Sequence, residues 1–590
     1  MEAFGRLGED DRRAAVDILN RRLAGIERRK IVDSLERRGR GRRATVEQLV
    51  LDAERLPTRG RRRKTLPDED LAEFIVDRCG VDLLESKEIK YYLVLNATHE
   101  QRERLKEHAT GLMVKGSVRV QAEKLAGRSW HPGKSWARHF VRDLELPLVF
   151  AGLPGVRSEP SMLQVVPFVP LDDLTDFQAD LRNQAVEVLN GQPGGNRGVL
   201  TMPTGAGKTR TAVESLIAWW LERSDRPIVL WIAQSEELCE QAVQSFSEVW
   251  TDLGHRSNVR SNLEIARFWG NAKIPEESNI LVASIQKLQA AVRDPESKQA
   301  LEFGELAQGI GAVVVDEAHR VGAPSYREVL DFLKIDTSRS GQSETPLLGL
   351  TATPYRGNDP ETQDMAGVFH KRLLRADSLG DDPIKELRSR GVLSVAKHEV
   401  LEHAASPFDM AHNQKFVEHF EQFHDFHTGF LQEIGESELR NKALFDRLMK
   451  IPEECPTLFF GCTVEHAEAM SILLRRKGRS AEVITGDTRS ATRRALIEEF
   501  RAGNISVLCN FGVLTTGFDA PRIRALVIGR PTTSRVLYAQ MIGRGMRGRA
   551  FRGTEECLVV DVRDNIRFHR AGELAYNKYT EFYRDQERTW

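Results

Sequence analysis

Two stretches of the 590-residue sequence carry residue types at spacings that suit phosphate chemistry. Residues 201–211 read Thr-Met-Pro-Thr-Gly-Ala-Gly-Lys-Thr-Arg-Thr, after the apolar pair Val199-Leu200 and before the helix-like run 212–217. Strand, glycine turn and helix in that order are the context of a phosphate-binding loop. Within Thr204-Gly205-Ala206-Gly207 the two glycines let the backbone turn tightly, so that successive N–H groups can point at one oxyanion. Lys208 would place a point charge on the terminal phosphates of ATP, and the Thr209 hydroxyl would ligate Mg²⁺. Met202 stands where the strict pattern has glycine. The second stretch, 313–319, is Val-Val-Val-Asp-Glu-Ala-His. An apolar strand ending in adjacent carboxylates would set Asp316 beside the phosphate loop, holding Mg²⁺ through water. Glu317 would then face the γ-phosphate, where it can orient or deprotonate the attacking water.

These stretches need strands to hold them, and the sequence supplies two sets. From about residue 166, apolar strands alternate with amphipathic helices, the mark of parallel α/β units. The first set is expected at 198–202, 228–233, 280–283, 312–315 and 347–350. The second is expected at 457–460, 481–484, 506–510, 525–528 and 557–561. Residues 404–456 interrupt the second set with a helical look. Phe416, Phe420, Phe423 and Phe426 lie near one face there, among His412, His419, His424 and His427, at spacings that fit no metal-site pattern.

The front of the chain differs. Residues 1–170 hold 33 Lys and Arg against 26 Asp and Glu, a balance of +7, which leaves −8 for the rest of a chain whose net charge is −1. Two arginine clusters, Arg37 to Arg43 and Arg59 to Lys64, flank a short helix that Thr45 would cap, with Val46, Leu49, Val50 and Ala53 on one face. Such loops suit phosphate contacts; docking of a partner, or plain solvation, fits them too. Farther on, helices are expected at 68–79 and 97–110 and a strand at 91–95. Trp130 and Trp136, interleaved with Arg128, Lys134, Arg138 and His139, could stack bases or finish a small core.

Apolar content of 41% and charged content of 29% are ordinary for a chain with ample core. There is no apolar run long enough for a membrane span and no secretory signal pattern. The six cysteines are scattered without a C-x-x-C, so reduced thiols and a cytoplasmic location are expected. Neither a Ser/His/Asp triad nor a nuclease constellation is evident.

Asp316-Glu317-Ala318-His319 resembles the DEAH form of the Walker B box of superfamily 2 helicases and translocases, and further motifs of that family follow in order. Phe177-Gln178 resembles the adenine-contacting Q motif, and 230–234 resembles motif Ia. Residues 282–286 resemble the next DNA-facing strand end, and 349–356 motif III. Residues 457–463 resemble motif IV, 513–521 motif V, and 540–547, Gln-Met-Ile-Gly-Arg-Gly-Met-Arg, motif VI. The flavour is most similar to type I restriction motors and the transcription-repair helicase group.

The resemblance implies two tandem RecA-like α/β domains, each with a parallel sheet, behind a basic, mostly helical or mixed N-terminal region. The divisions expected are 1–66 (basic helical), 67–165 (small mixed), 166–378 (first RecA-like domain), 379–456 (linker and helical insertion) and 457–590 (second RecA-like domain). It implies ATP and Mg²⁺, with Thr209 and Asp316 toward the metal. Lys208, Asp316, Glu317, Gln540, Arg544 and Arg547 would carry hydrolysis, the two arginines reaching across the cleft. Phe177, Gln178, Gly517 and Asp519 would join the phosphate loop around the nucleotide. Gln234, Ser284, Gln286, Cys462, Thr463 and Thr515 would face nucleic acid, DNA rather than RNA. A separate nuclease or defence-system subunit is an expected partner, and a membrane is not. An ATP-gated sensor that unwinds nothing and an RNA helicase stay open as alternatives.

Overall fold

The structure is a computed structural model. It describes all residues except 1–6, 38–44, 55–64, 153–161, 166–170, 192–194, 257–258, 260, 338–342, 353–364, 381, 403–407, 424, 514–521, 533–534, 565, 569–572 and 575–590. Both arginine clusters fall almost wholly outside the described residues, as do Thr515, Gly517 and Asp519.

The first sheet is made of β1 (Met162–Val165), β2 (Arg197–Thr201), β3 (Ile228–Ala233), β4 (Leu263–Phe268), β5 (Ile280–Ser284), β6 (Ile310–Asp316), β7 (Leu347–Thr351) and β8 (Leu373–Leu374). Their order is β1-β4-β5-β3-β6-β7-β2-β8. Every pairing is parallel except β1 with β4, where Met162 stands opposite Ala266. The central strands are unbroken apolar runs, buried on both faces by helices, which is why they read as hydrophobic blocks rather than alternating strands.

The second sheet holds β9 (Val395–Leu401), β11 (Thr457–Phe460), β12 (Ala481–Ile484), β13 (Val507–Asn510), β14 (Ala525–Ile528) and β15 (Glu556–Val562), in the order β12-β13-β11-β14-β15-β9. All its pairings are parallel. The edge strand β9 comes from the stretch expected to be linker and helical insertion. It pairs along the whole of β15, from Val395 opposite Glu556 to Leu401 opposite Val562. Its side chains are half exposed, so no hydrophobic run announced it. A short β10 (Phe408–Asp409) joins β16 (Ile566–Phe568) and β17 (Glu573–Leu574) in a small third sheet. Beside it Met410, Phe416, Phe426, Phe430 and Leu431 form a satellite core, so phenylalanines of the helical segment are used for packing.

The N-terminal region is helical, and residues of both expected segments share one core that includes Leu19, Val50, Phe74, Leu93 and Phe140. Thr45 caps the helix Val46–Glu54, its Oγ1 accepting from the Gln48 N–H at 3.1 Å. The strand expected at 91–95 is absent; Lys87–Leu95 is a helix. Ser86 caps it, and Ile89 and Leu93, one turn apart, are buried together. Packing there outweighs the β-preference of Tyr91-Tyr92-Leu93-Val94. Trp136 is buried with Arg128 over its ring, and Trp130 packs against the same core beneath Lys90. The two tryptophans complete a core.

That core does not end at the N-terminal helices. Ala469, Ile472 and Leu473, from the helix Val464–Arg476 of the second α/β domain, belong to it. The N-terminal module precedes the first domain in the chain but packs on the second. Asp77 anchors the contact. Its carboxylate accepts from Arg12 Nε at 2.6 Å and lies 3.7 Å from Arg476 Nε, and its carbonyl accepts from Arg475. Arg78 lies 3.6 Å from Glu468 alongside.

Candidate nucleotide cleft

The cleft is built where three neighbouring strands of the first sheet end. In the order β6-β7-β2, β6 ends on Asp316, β7 on Thr351 and β2 on Thr201, which leads into the glycine loop. Ligands of open parallel sheets bind outside such carboxyl ends. Gly205 (φ 92°) and Gly207 (φ 90°) adopt left-handed backbone, as the loop requires. Gly207 is the N-cap of the helix Lys208–Leu221, so the helix's free N–H groups open toward the loop. Gln178 fastens the loop from behind: its Nε2 donates to the Ala206 carbonyl at 3.1 Å, and its Oε1 accepts from the Thr175 N–H and hydroxyl. A Cβ on Gly207 would run into that amide.

Lys208 Nζ lies 4.0 Å from Glu317 Oε1, and Glu317 Oε2 lies 3.3 Å from His319 Nδ1. The same His319 nitrogen is 3.4 Å from the Thr351 hydroxyl at the end of β7. Glu317 itself has left-handed backbone (φ 53°), rare for a residue with a side chain and a recurrent feature of functional sites. Its N–H donates to Asp316 Oδ1 at 3.0 Å. Both carboxylates are buried, 3% and 8% exposed. Burial pushes Asp316 up to about 6, against the pull of Lys208 and Arg544. Glu317 is equally buried, but Lys208, His319 and Arg544 together hold it down at about 2. Domain two's Arg544 is thus felt by both carboxylates of domain one.

The second wall is the helix Arg535–Gly543 and the turn after it. Gly543 faces Thr204 so closely that a Cβ would come within 2.5 Å of Thr204 Cβ. A Cβ on Gly205 would touch the Arg547 backbone at 3.5 Å, and one on Gly207 would touch the Phe551 ring at 3.5 Å. Ser394, just before β9, fixes this turn: its hydroxyl donates to the Arg547 carbonyl at 2.6 Å, and its N–H donates to the Met546 carbonyl. Gln540 is buried, with an Nε2 that makes no hydrogen bond.

The residues present fit a magnesium-bound triphosphate. The buried Asp316 carboxyl at the end of β6, near Lys208, and the Thr209 hydroxyl in the first turn of the helix that starts at Lys208, are oxygen donors of the kind a hard cation takes. Lys208 and the loop N–H groups can take phosphate charge.

Some expected residues lie elsewhere. Phe177 is fully buried in the core beneath the loop, so its ring does not line the cleft. Cys462 is fully buried, its Sγ donating to the Gly529 carbonyl at 2.9 Å and lying against Arg440, and it is out of reach of a strand. Thr463 caps the helix Val464–Arg476, and Ser284 caps the helix Ile285–Val292. Exposed Gln286 donates to the carbonyl of Gln234 at 3.0 Å, which ties two expected nucleic-acid-facing ends together. His319 and Phe551 were missed: the first was visible in the DEAH letters, the second follows motif VI without a pattern of its own.

Comparison with known proteins fits this geometry. Residues 172–356 match the family model described as type III restriction enzyme, res subunit, and residues 441–549 match the helicase conserved C-terminal domain. Both matches are to domains of helicases and restriction motors, in keeping with the superfamily 2 motifs of the sequence. Relatives include IRC3 of Saccharomyces cerevisiae, named as an ATP-dependent helicase, 26% identical over 66% of this chain and 51% of its own. The type I restriction enzyme EcoKI endonuclease subunit of Escherichia coli is 26% identical over 59% of this chain and 31% of its own. The DNA 3'-5' helicase XPB of Mycobacterium tuberculosis is 24% identical over 67% and 63%. The chain therefore spans about half the length of the first of these relatives. Among solved structures, a fragment of an HsdR subunit of a type I restriction enzyme from Vibrio vulnificus is 20% identical, with a TM-score of 0.43, over 65% of this chain and 63% of that one. Among the described residues no helix is long and apolar enough to cross a membrane.

Proposed function

We propose that this protein is an ATP-driven DNA translocase or helicase whose two α/β domains hydrolyse ATP between them. The observation that carries the reading is the close approach of Gly543 of domain two to Thr204 of the phosphate loop, which brings the neighbouring Arg544 toward the Asp316–Glu317 pair of domain one. In this reading Lys208, with the N–H groups of Thr204 to Gly207, binds the phosphates, and Thr209 and Asp316 hold the metal that screens them. Glu317, kept ionised by Lys208 and His319, takes a proton from the attacking water. Arg544 and Arg547 stabilise charge that develops as the bond breaks, and Gln540 orients them. They do so only with the cleft closed, so closure follows the nucleotide and a strand lying across both domains is moved.

Relatives named as DNA helicase and as restriction endonuclease subunits support DNA over RNA, and support work beside a separate nuclease in defence or repair. The test is DNA-stimulated ATPase activity of the full chain against Lys208→Ala and Glu317→Gln. Loss of turnover in both is expected, and retained turnover in both ends the assignment. Triplex displacement beside strand displacement then separates translocation from unwinding.

A further inference from the structure

The N-terminal module holds a cluster that nucleotide chemistry does not use. His108 is the last residue of the helix His99–His108. His139 and Asp143 lie one turn apart on the helix Ser135–Asp143, on the face turned to it. Their donor atoms all lie within 4.8 Å of one another. His108 Nε2 is 3.7 Å from Asp143 Oδ2. Asp143 is only 4% exposed, and its Oδ2 accepts no hydrogen bond. A buried carboxylate oxygen without a partner calls for one. The imidazoles of His108 and His139 stack with their centroids 3.6 Å apart.

One cation is already drawn to this point. The Arg142 guanidinium lies 2.7 Å from His139 Nδ1 and 3.4 Å from His108 Nε2, and its Nε is 3.4 Å from Asp143 Oδ1. Arg142 is a poor permanent occupant: its side chain is mostly exposed and free to swing out. A cleft of about 630 Å³ opens beside it, lined by Ser135, Arg138, His139, Arg142, Leu146 and Leu148 among others.

We propose that His108, His139 and Asp143 are the ligands of a divalent transition-metal ion, zinc by donor preference, that replaces the Arg142 guanidinium and pins the two helices together. Two imidazoles and one carboxylate suit zinc; magnesium and calcium take all-oxygen sets. Metal–ligand bonds of about 2.0–2.2 Å require the stacked rings to turn about their side-chain bonds, and the donors to draw closer than in the arginine-filled state. The fourth position faces the cleft, open to water or to a donor from a partner.

The experiment is titration of the full chain, stripped with a chelator, with Co²⁺ read by its visible absorption, followed by displacement with Zn²⁺. One equivalent per chain is expected. His108→Ala and His139→Ala should each weaken binding by about 10–100-fold or more, taking the loss known for outer partners of a metal as a lower bound. Arg142→Ala should tighten it by removing the competing cation. Affinity should fall as the solution is made acidic, because protons compete with the metal for its ligands. Absence of stoichiometric binding in both wild type and Arg142→Ala overturns the proposal. So does binding that survives both histidine substitutions, which would assign the ion to another cluster such as His412, His419 and His427. Unchanged melting temperature in His108→Ala, whose side chain is partly exposed, guards against mistaking unfolding for ligand loss.

Discussion

Domain two meets the rest of the chain on two sides, and the two contacts follow opposite rules. On the cleft side, closeness depends on side chains that are missing. Gly543 lets Thr204 approach, where a Cβ would come within 2.5 Å of the threonine. The ion pairs that span this side, Arg493 with Glu237 and Arg390 with Asp176, hold groups that are partly exposed. On the far side, closeness depends on side chains that are present. Ala469, Ile472 and Leu473 sink into the N-terminal core, and the nearly unexposed Asp77 collects Arg12, Arg475 and Arg476. The cleft side carries apolar packing as well, since Leu393, Met541 and Met546 belong to the same buried cluster as Met202 and Ala206 of the loop. A continuous apolar core cannot part without exposing its area to water. The difference teaches that the cleft is where close backbone approach and charge meet the nucleotide-binding loop, whereas the far side is a packed seam between domain two and the N-terminal helices.

The largest effect should come from the cleft. Arg544→Ala is expected to lower the turnover of ATP by about 10³–10⁵-fold, the range of an arginine acting on a phosphoryl transition state, with the melting temperature unchanged. Steady-state ATPase assays beside calorimetry measure both; a loss of less than tenfold would break the idea that this face acts through charge. Gly543→Ala should follow at about 10²-fold, since displacing the facing groups by an ångström is enough, while nucleotide binding by the loop persists. On the far side Leu473→Ala should lower stability by about 2–5 kcal/mol, read by thermal unfolding, with turnover per folded molecule nearly unchanged. If Leu473→Ala instead removes turnover and leaves stability intact, the comparison is inverted and the far side serves catalysis.

What the sequence made legible follows the same division. The phosphate loop, the Asp316–Glu317 strand end and the 540–547 run could be read because each needs fixed residue types at fixed spacing. The strands under them could be read because β3, β6 and β7 are apolar throughout. β9 and β4 were missed: β9 is an edge strand of half-exposed residues such as Val395, and Glu264 and Arg267 interrupt the apolar run of β4. The helix Lys87–Leu95 was misread because two tyrosines and a run of apolar residues mimic a strand, when the decisive facts were the Ser86 cap and the burial of Ile89 and Leu93. Cys462 and Phe177 had the right position in a motif and the wrong exposure, which spacing does not encode. Nothing in the letters said that the N-terminal helices would bypass domain one and join Leu473, because that contact is a matter of surfaces far apart in the chain.

The far side offers a smaller, pH-dependent test. Glu85 of the N-terminal module pairs with Arg489 of domain two at 2.5 Å. Its carboxyl is nevertheless raised to about 7, because burial and the neighbouring Asp82 outweigh Arg489 and Lys90. Asp82 is raised too, again by burial. A carboxyl whose folded value lies above its ordinary one favours the fold while protonated, and that contribution is lost as pH rises from about 4.5 through 7. At pH 8 the folded chain therefore carries an ionised, half-buried Glu85 whose interaction with Arg489 solvent partly screens. Glu85→Gln removes the ionisation and keeps the shape. It should raise stability by about 1 kcal/mol at pH 8, the size allowed after screening, and by less at pH 5. Melting curves of the two proteins at both pH values measure the difference. A gap that is the same at both would mean that the carboxyl ionises freely and that this contact, like the ion pairs of the cleft, is a solvated one.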